Sequence, residues 1–232
     1  MVIGSLEILH GCCAIPLYRK VSGNNWHPHT VIWEICDNTL VDESDFFWLN
    51  CHRWLMSWSP NTKSYCVYRN EKLPNGKIVH IYMAREILDL PPGSGKGGEE
   101  ADHENHDTKN NRRCNLRVAT PSQNGANRRK LGVQSRFKGV RVHGSGFMAQ
   151  IRYDGQLVWF LKMRLETEAG LIYNYSANIL FGEFAHLNII PEDEMPTVER
   201  QWELWDLVVE KLKVKLGDGI VDGLLQSRGL AA

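Results

Sequence analysis

The spacing of apolar residues changes character several times along the chain, and each change predicts a different element. Residues 1–38 are irregular, with an apolar opening, a polar stretch over Gly23–His29 and one short apolar run, Val31–Cys36, that reads as a strand. Asp42-Glu43-Ser44-Asp45 then stands ahead of Phe46, Phe47, Trp48, Leu49, Trp54 and Leu55, which predicts a short capped helix followed by a strand. Lys63–Leu73 and Gly76–Met83 are β-branched and aromatic runs around Pro74-Asn75-Gly76, a hairpin signal. Arg85–Leu90 predicts a short helix stopped by Pro91-Pro92.

Further on, residues 135–163 alternate polar and apolar positions around Gly144, Gly146 and Asp154-Gly155. They predict a three-stranded antiparallel meander of Phe137–Val142, Phe147–Tyr153 and Leu157–Met163. Thr167 reads as the cap of a helix running to about Phe181, with Ala169, Ile172, Tyr173, Ser176 and Leu180 on the face that covers the sheet. Residues 189–195 are acidic and contain proline, as a linker does. After Pro196-Thr197, Val198, Trp202, Trp205, Val209, Leu212 and Leu216 recur in steps of four and three, a heptad seam. That seam packs on its own protein or, over 197–216, on a second copy in a homodimer. The fold class is therefore α+β.

Composition narrows the class. The 232 residues are 43% apolar and 23% charged, so the chain buries a core and is neither disordered nor fibrous. No run approaches the ~18 apolar residues of a membrane span. Residues 1–18 contain Glu7 and lack a basic start, unlike a secretory signal. The six cysteines form no C-x-x-C pair and read as reduced thiols of an intracellular protein.

Charge changes the picture more. The whole chain has 27 basic and 27 acidic residues. Residues 109–141 nevertheless hold ten basic side chains (Lys109, Arg112, Arg113, Arg117, Arg128, Arg129, Lys130, Arg136, Lys138, Arg141) and no acid, so the remainder carries 17 basic against 27 acidic, a net of −10. Asn110, Asn111, Asn115, Gln123, Asn124, Asn127 and Gln134 share the belt and suit phosphate and base-edge hydrogen bonds. Gly93-Ser94-Gly95-Lys96 fails as a phosphate loop, because no Gly-Lys-Ser/Thr opens a helix after a strand. His103, His106 and Cys114 match no common zinc spacing, and His27, His29, His52 and His80 read as surface or core residues.

Within the belt lies a constellation with the parts for phosphodiester hydrolysis: a base for water, hard oxygen ligands for a divalent ion, and cations for the strand. Asp102 and His103 are neighbours on a strand, Asn124 lies further on in a helix, and Asn115 can bond the imidazole or its supporting backbone. The run from Asp102-His103 through Asn110-Asn111-Arg112-Arg113 and Asn115-Leu116-Arg117 to Gln123-Asn124 and Asn127-Arg128-Arg129 resembles the HNH endonuclease family, in its homing-type branch of phages and mobile introns. That resemblance implies a ββα-metal nuclease fold, with Asp102 and Asn124 as ligands of one Mg²⁺ or Mn²⁺ per site. It implies His103 as general base, Asn115 as the residue that orients it, and Arg112, Arg113, Arg117, Asn127, Arg128, Arg129 and Lys130 as contacts to double-stranded DNA.

Phe137-Lys138-Gly139-Val140-Arg141, Ala149-Gln150-Ile151-Arg152 and Leu180–Asn188 are similar to an AP2-type DNA-binding domain. By that likeness Lys138, Arg141, His143, Gln150 and Arg152, with Trp159 as a further candidate, face DNA. The implied organisation is an extension over 1–37, a nuclease domain over 38–131, an AP2-like domain over 132–188, and an acidic linker with a C-terminal helix over 189–232. Ala84 stands where relatives commonly have His, Glu104 where an apolar residue is usual, and Leu161 where the third AP2 strand has Gly. The first departure motivates an alternative, a DNA-binding regulator with impaired catalysis. No membrane partner is expected.

Overall fold

The computed structural model describes residues 11–22, 31–60, 62–91, 98–129 and 134–230. The Gly93–Lys96 loop, His27, His29 and Lys130 lie outside the described residues. The fold is mixed α+β, in two compact units over residues 1–121 and 122–232.

The first unit holds a five-stranded sheet of order β2-β1-β3-β4-β5. Its strands are β1 (Cys12–Ser22), β2 (Val31–Asp42), β3 (Trp54–Ser59), β4 (Ser64–Lys72) and β5 (Ile78–Tyr82). β1 is a strand where the sequence predicts irregular chain. Cys13, Ile15 and Leu17 do alternate into the core, but Pro16 breaks the reading. Proline is accommodated because β1 pairs with β3 only at Leu17 and Tyr18, so Pro16 meets a partner on the β2 side alone. The expected hairpin forms from β4 and β5, with Gly76 at φ +81° in the turn.

Helix α1 (Glu43–Leu49) follows Asp42 as the acidic segment predicts, and α2 (Met83–Ile87) follows β5. Phe46 and Leu49 of α1 and Met83, Ala84 and Ile87 of α2 pack with Ile15, Leu17, Val41 and Val67 around fully buried Trp54. Trp54 Nε1 donates to Leu49 O at 2.8 Å. A hairpin of β6 (Glu100–His103) and β7 (Leu116–Ala119) joins this core through Ala101 and Leu116. The loop between them is fastened to β2: Leu40 N donates to Lys109 O at 2.9 Å and Asn111 N to Leu40 O at 2.8 Å.

The second unit opens with α3 (Pro121–Asn127), followed by a sheet of order β10-β9-β8 made of β8 (Val140–His143), β9 (Gly146–Tyr153) and β10 (Gln156–Met163). The expected meander is thus present. Helix α4 (Glu166–Phe181) covers the face carrying Val140, Ala149, Ile151, Val158 and Phe160. Its start differs from expectation: Leu165 is at the N-cap position and Thr167 is buried inside the first turn. That turn is held instead by the Glu166 carboxylate, which accepts from Ser135 Oγ at 2.7 Å and Arg136 N at 2.9 Å.

Helix α5 (Val198–Leu216) buries Leu204, Val208 and Leu212, a seam one residue off the expected heptad at two of its positions, while Trp202 is 64% exposed. A further helix unpredicted from sequence, α6 (Asp218–Ser227), adds Val221 and Leu225 to the same core. No helix among the described residues is long and apolar enough to cross a membrane.

Candidate functional site

Asp102 and His103 end β6, in register with Arg117 and Leu116 of β7. Alternation sends their side chains to opposite faces of the hairpin. Asp102 is 4% exposed, and its Oδ2 accepts Arg117 Nε at 2.8 Å. The guanidinium therefore fixes one carboxylate oxygen and balances a buried charge.

The 104–115 loop has little regular structure, so its backbone groups need side-chain partners. Asn115, buried at 5%, supplies two: its Nδ2 donates to Asn110 O at 2.7 Å and its Oδ1 accepts Asn105 N at 3.0 Å. Glu104 N also donates to Asn115 O at 2.9 Å. Asn115 thus serves the backbone that carries His103. Asp107 Oδ1 accepts Lys109 N at 3.0 Å, and Lys109 Nζ pairs with Asp37 Oδ2 at 2.8 Å. This hydrogen bond holds the Asp37 carboxyl below its ordinary range and the Lys109 ammonium above its own.

The imidazole itself is met by Asn111, with His103 Nε2 3.1 Å from Asn111 Oδ1. Which atom carries the proton follows from a chain of polar groups that begins at a carbonyl, an obligate acceptor. Thr39 Oγ1 donates to Lys109 O at 2.7 Å, which uses its only hydrogen. Asn111 Nδ2 therefore donates to Thr39 Oγ1 at 2.9 Å, and also to Thr108 O at 3.3 Å. The remaining amide atom is Oδ1, so His103 Nε2 must be the N–H donor. In the neutral ring the lone pair then resides on Nδ1. Burial pushes the imidazole below its ordinary value, against its hydrogen bond to Asn111 Oδ1 and the charges of Asp102 and Asp107. Near neutral pH the ring is a neutral base with its acceptor at Nδ1.

Sequence reasoning missed Asn111 and Thr39 as members of this site. Asn110 and Asn111 read as outward-facing partners for phosphates or bases, yet they are 7% and 1% exposed and serve the loop. The available signal was an asparagine-rich loop between two short strands, whose amides are needed to satisfy its own backbone.

The basic belt divides similarly. Arg112 Nε donates to Asn110 Oδ1 at 3.1 Å, and Arg113 makes a two-pronged contact with Asp45, Nε to Oδ2 and the terminal nitrogen to Oδ1, both at 2.8 Å. In the second unit, Asn124 is half-buried and Asn127 buried on α3, while Arg128 and Arg129 are exposed beyond it. Lys138 turns inward, its Nζ donating to Ala126 O and lying 5.7 Å from the Tyr173 ring centre. Burial, then the neighbouring Arg128 charge, brings its ammonium down to about 8. Arg141, His143, Gln150 and Arg152 alternate to the face of the three-stranded sheet away from α4. Trp159, in register with Gln150, joins them, and the Arg141 guanidinium lies 5.2 Å over its ring. Phe160 is core instead. Among the described residues no three His, Cys, Asp or Glu side chains gather as a metal cage.

Asp102 and His103 thus stand side by side in sequence but on opposite faces at the end of a two-stranded hairpin, the carboxylate held by Arg117 and the imidazole by Asn111. No protein-family profile matches the chain. Over 90 residues it is 39% identical to an uncharacterized HNH endonuclease of Acanthamoeba polyphaga mimivirus, across 38% of this chain and 46% of that protein. The matched region is thus less than half of the relative's length.

Proposed function

We propose that this protein is a metal-dependent DNA endonuclease or nickase of the HNH type, homing-like in organisation. The observation that carries this reading is the fixed polarity at His103, whose Nε2 donates to Asn111 Oδ1 and so puts the lone pair of the neutral ring on Nδ1. The partial likeness to a protein named as an HNH endonuclease supports it. So does the order of elements along the chain, β6 with Asp102 and His103, then β7, then α3 with Asn124.

In the proposed reaction His103 Nδ1 takes a proton from water, the water oxygen attacks phosphorus, and the bond to the 3′ oxygen breaks. Asn111 holds the Nε2–H side of the ring throughout, and Asn115 keeps the loop in place. The carboxylate of Asp102 and the amide oxygen of Asn124 are hard oxygen donors of the kind that hold Mg²⁺ or Mn²⁺. Such an ion, when bound, would neutralise charge on the phosphate and the leaving oxygen. Arg128 and Arg129 would grip phosphates of double-stranded DNA, and Arg141, His143, Gln150 and Arg152 would read it from the open, AP2-like sheet.

The test is plasmid nicking with Mg²⁺ or Mn²⁺ beside a gel shift on the same DNA. Wild type should cut only with the ion, and His103→Ala should lose cutting while retaining binding. Equal cutting by His103→Ala overturns the assignment. Binding by wild type without any cut selects the non-cleaving regulator; Ala84, which motivates that reading, is itself a core residue of α2.

A further inference from the structure

The five-stranded sheet of the first unit carries α1 and α2 on one face only. In-register partners share a face, so Tyr18, Leu55, Tyr68 and Tyr82, paired successively across β1, β3, β4 and β5, form one row on the opposite face. With β2 included, five strands spaced about 4.8 Å apart make that row about 19 Å long. Leu55 is its buried floor, and Tyr18, Tyr68 and Tyr82 are half-buried.

Trp33 pairs with Lys20 on the same face. The Arg53 guanidinium lies 5.4 Å from the Trp33 ring and 5.6 Å from Tyr18. Lys20 and Arg53 are exposed. The carboxylates of this sheet point elsewhere. Glu34, Asp37 and Glu71 pair with Arg19, Leu17 and Val79, whose positions alternate to the helix side, and Asp42 accepts Arg113 N at 2.7 Å. The result is a platform of rings edged by cations, with no carboxylate in the row itself among the described residues.

We propose that this face is a docking surface for single-stranded DNA, with bases stacked on Trp33 and the tyrosines and phosphates held by Lys20 and Arg53. Two exposed cations, with no carboxylate in the row among the described residues, fit a polyanion. Rings lying along a sheet can stack only on bases whose flat faces are unoccupied, and within a duplex those faces are already stacked on each other. The choice of DNA over RNA rests on the function proposed above, while the preference for a single strand does not.

The experiment is fluorescence anisotropy of a labelled oligothymidine with the full chain in EDTA, where nothing is cut. Stacking is worth about 1–3 kcal/mol per base, so Trp33→Ala should weaken binding about 5- to 160-fold. Arg53→Glu should weaken it and make the salt dependence shallower by at least about 0.7 in slope. Trp202→Ala, an exposed aromatic change in the second unit, should leave binding unchanged. The proposal is overturned if Trp33→Ala and Arg53→Glu, both folded by circular dichroism, bind like wild type. It is equally overturned if unlabelled duplex or oligouridine displaces the probe more readily than oligothymidine does. Since binding in EDTA needs no base at position 103, failure of nicking with these results intact refutes only the nuclease reading. Intact nicking with unchanged Trp33→Ala binding refutes only this inference.

Discussion

Asn111→Asp puts the polarity at His103 under direct strain. The substitution preserves shape, so one carboxylate oxygen still accepts from His103 Nε2 at about the 3.1 Å of the native contact. The other replaces a donor that faces Thr39 Oγ1 at 2.9 Å and Thr108 O at 3.3 Å. Two acceptors then face each other at Thr108, and Thr39 can donate to the new oxygen only by releasing Lys109 O. Losing buried partners of this kind costs about 1–3 kcal/mol.

The larger effect is on the ring. A carboxylate in hydrogen-bond contact raises an imidazole by about 1–3 pH units, opposing the burial that lowers it in the native protein. Each unit is about 1.4 kcal/mol between the two ring forms. A ring protonated at both nitrogens has no base at Nδ1, so the acid limb of nicking against pH should move up by about 1–3 units, with the rate recovering on the alkaline side. Stability should change slope as well. In the native protein the folded ring binds its proton less readily than the unfolded one, so stability is full above the ordinary value of 6.5 and falls on acidification through the folded value. In Asn111→Asp the ring gains stability at low pH and loses it as pH rises through the new value. Nicking rates and urea melts between about pH 5 and 9, with ¹⁵N shifts of His103 in EDTA, measure all three effects. An unmoved acid limb, with the same fractional loss at every pH, refutes the argument.

Three further outcomes follow from packing and charge. Arg113→Ala strips the two-pronged partner from the Asp45 carboxylate, which is 4% exposed while the arginine is 51% exposed. It should cost about 1–3 kcal/mol in urea melts, more than Asp45→Asn, because a buried charge is left behind. Lys138 titrates at about 8 in the folded state against an ordinary 10.5, so the unfolded chain binds more protons between those values and stability rises with pH across them. Lys138→Met should abolish that rise in thermal melts and stabilise the protein at pH 7. In α5, Leu204→Ala should cost about 2–5 kcal/mol, whereas Trp202→Ser should stay within about 0.5 kcal/mol. Equal costs would restore the heptad seam read from sequence.

Local patterns were legible where local forces decide the structure. The Pro74-Asn75-Gly76 turn, the 135–163 meander and the covering face of α4 all follow from alternation, turn chemistry and helical spacing. Elements that depend on distant partners were not. β1 is recruited by β2 over its length and by β3 at two residues, and α6 exists because it completes the core under α4 and α5. The α5 seam shifted for the same reason: steps of four and three can be counted from Val198 or from Leu204, and only α4 decides between them. Arg113 and Arg117 show the corresponding limit for charge, since a belt read as uniformly cationic spends both on the buried carboxylates of Asp45 and Asp102.

The same logic explains why the pair proposed for the chemistry is legible in the sequence while its support is not. Asp102 and His103 stand out through the spacing of Asn115, Asn124 and the arginines that follow them, which resembles the HNH pattern at fixed offsets; an Asp-His dipeptide alone carries no signal. Asn111 and Thr39 carry no such mark, and Thr39 is far off in the chain, on a strand whose end is tied to the loop by Leu40. Yet the direction of every bond in that chain is dictated by the carbonyl of Lys109, which cannot donate. A histidine alone offers either nitrogen as base. Here the choice is made by a backbone atom, relayed through one hydroxyl and one amide. Thr39→Val and Asn111→Leu should therefore impair His103 without touching substrate, and a site search confined to titratable residues would pass over both.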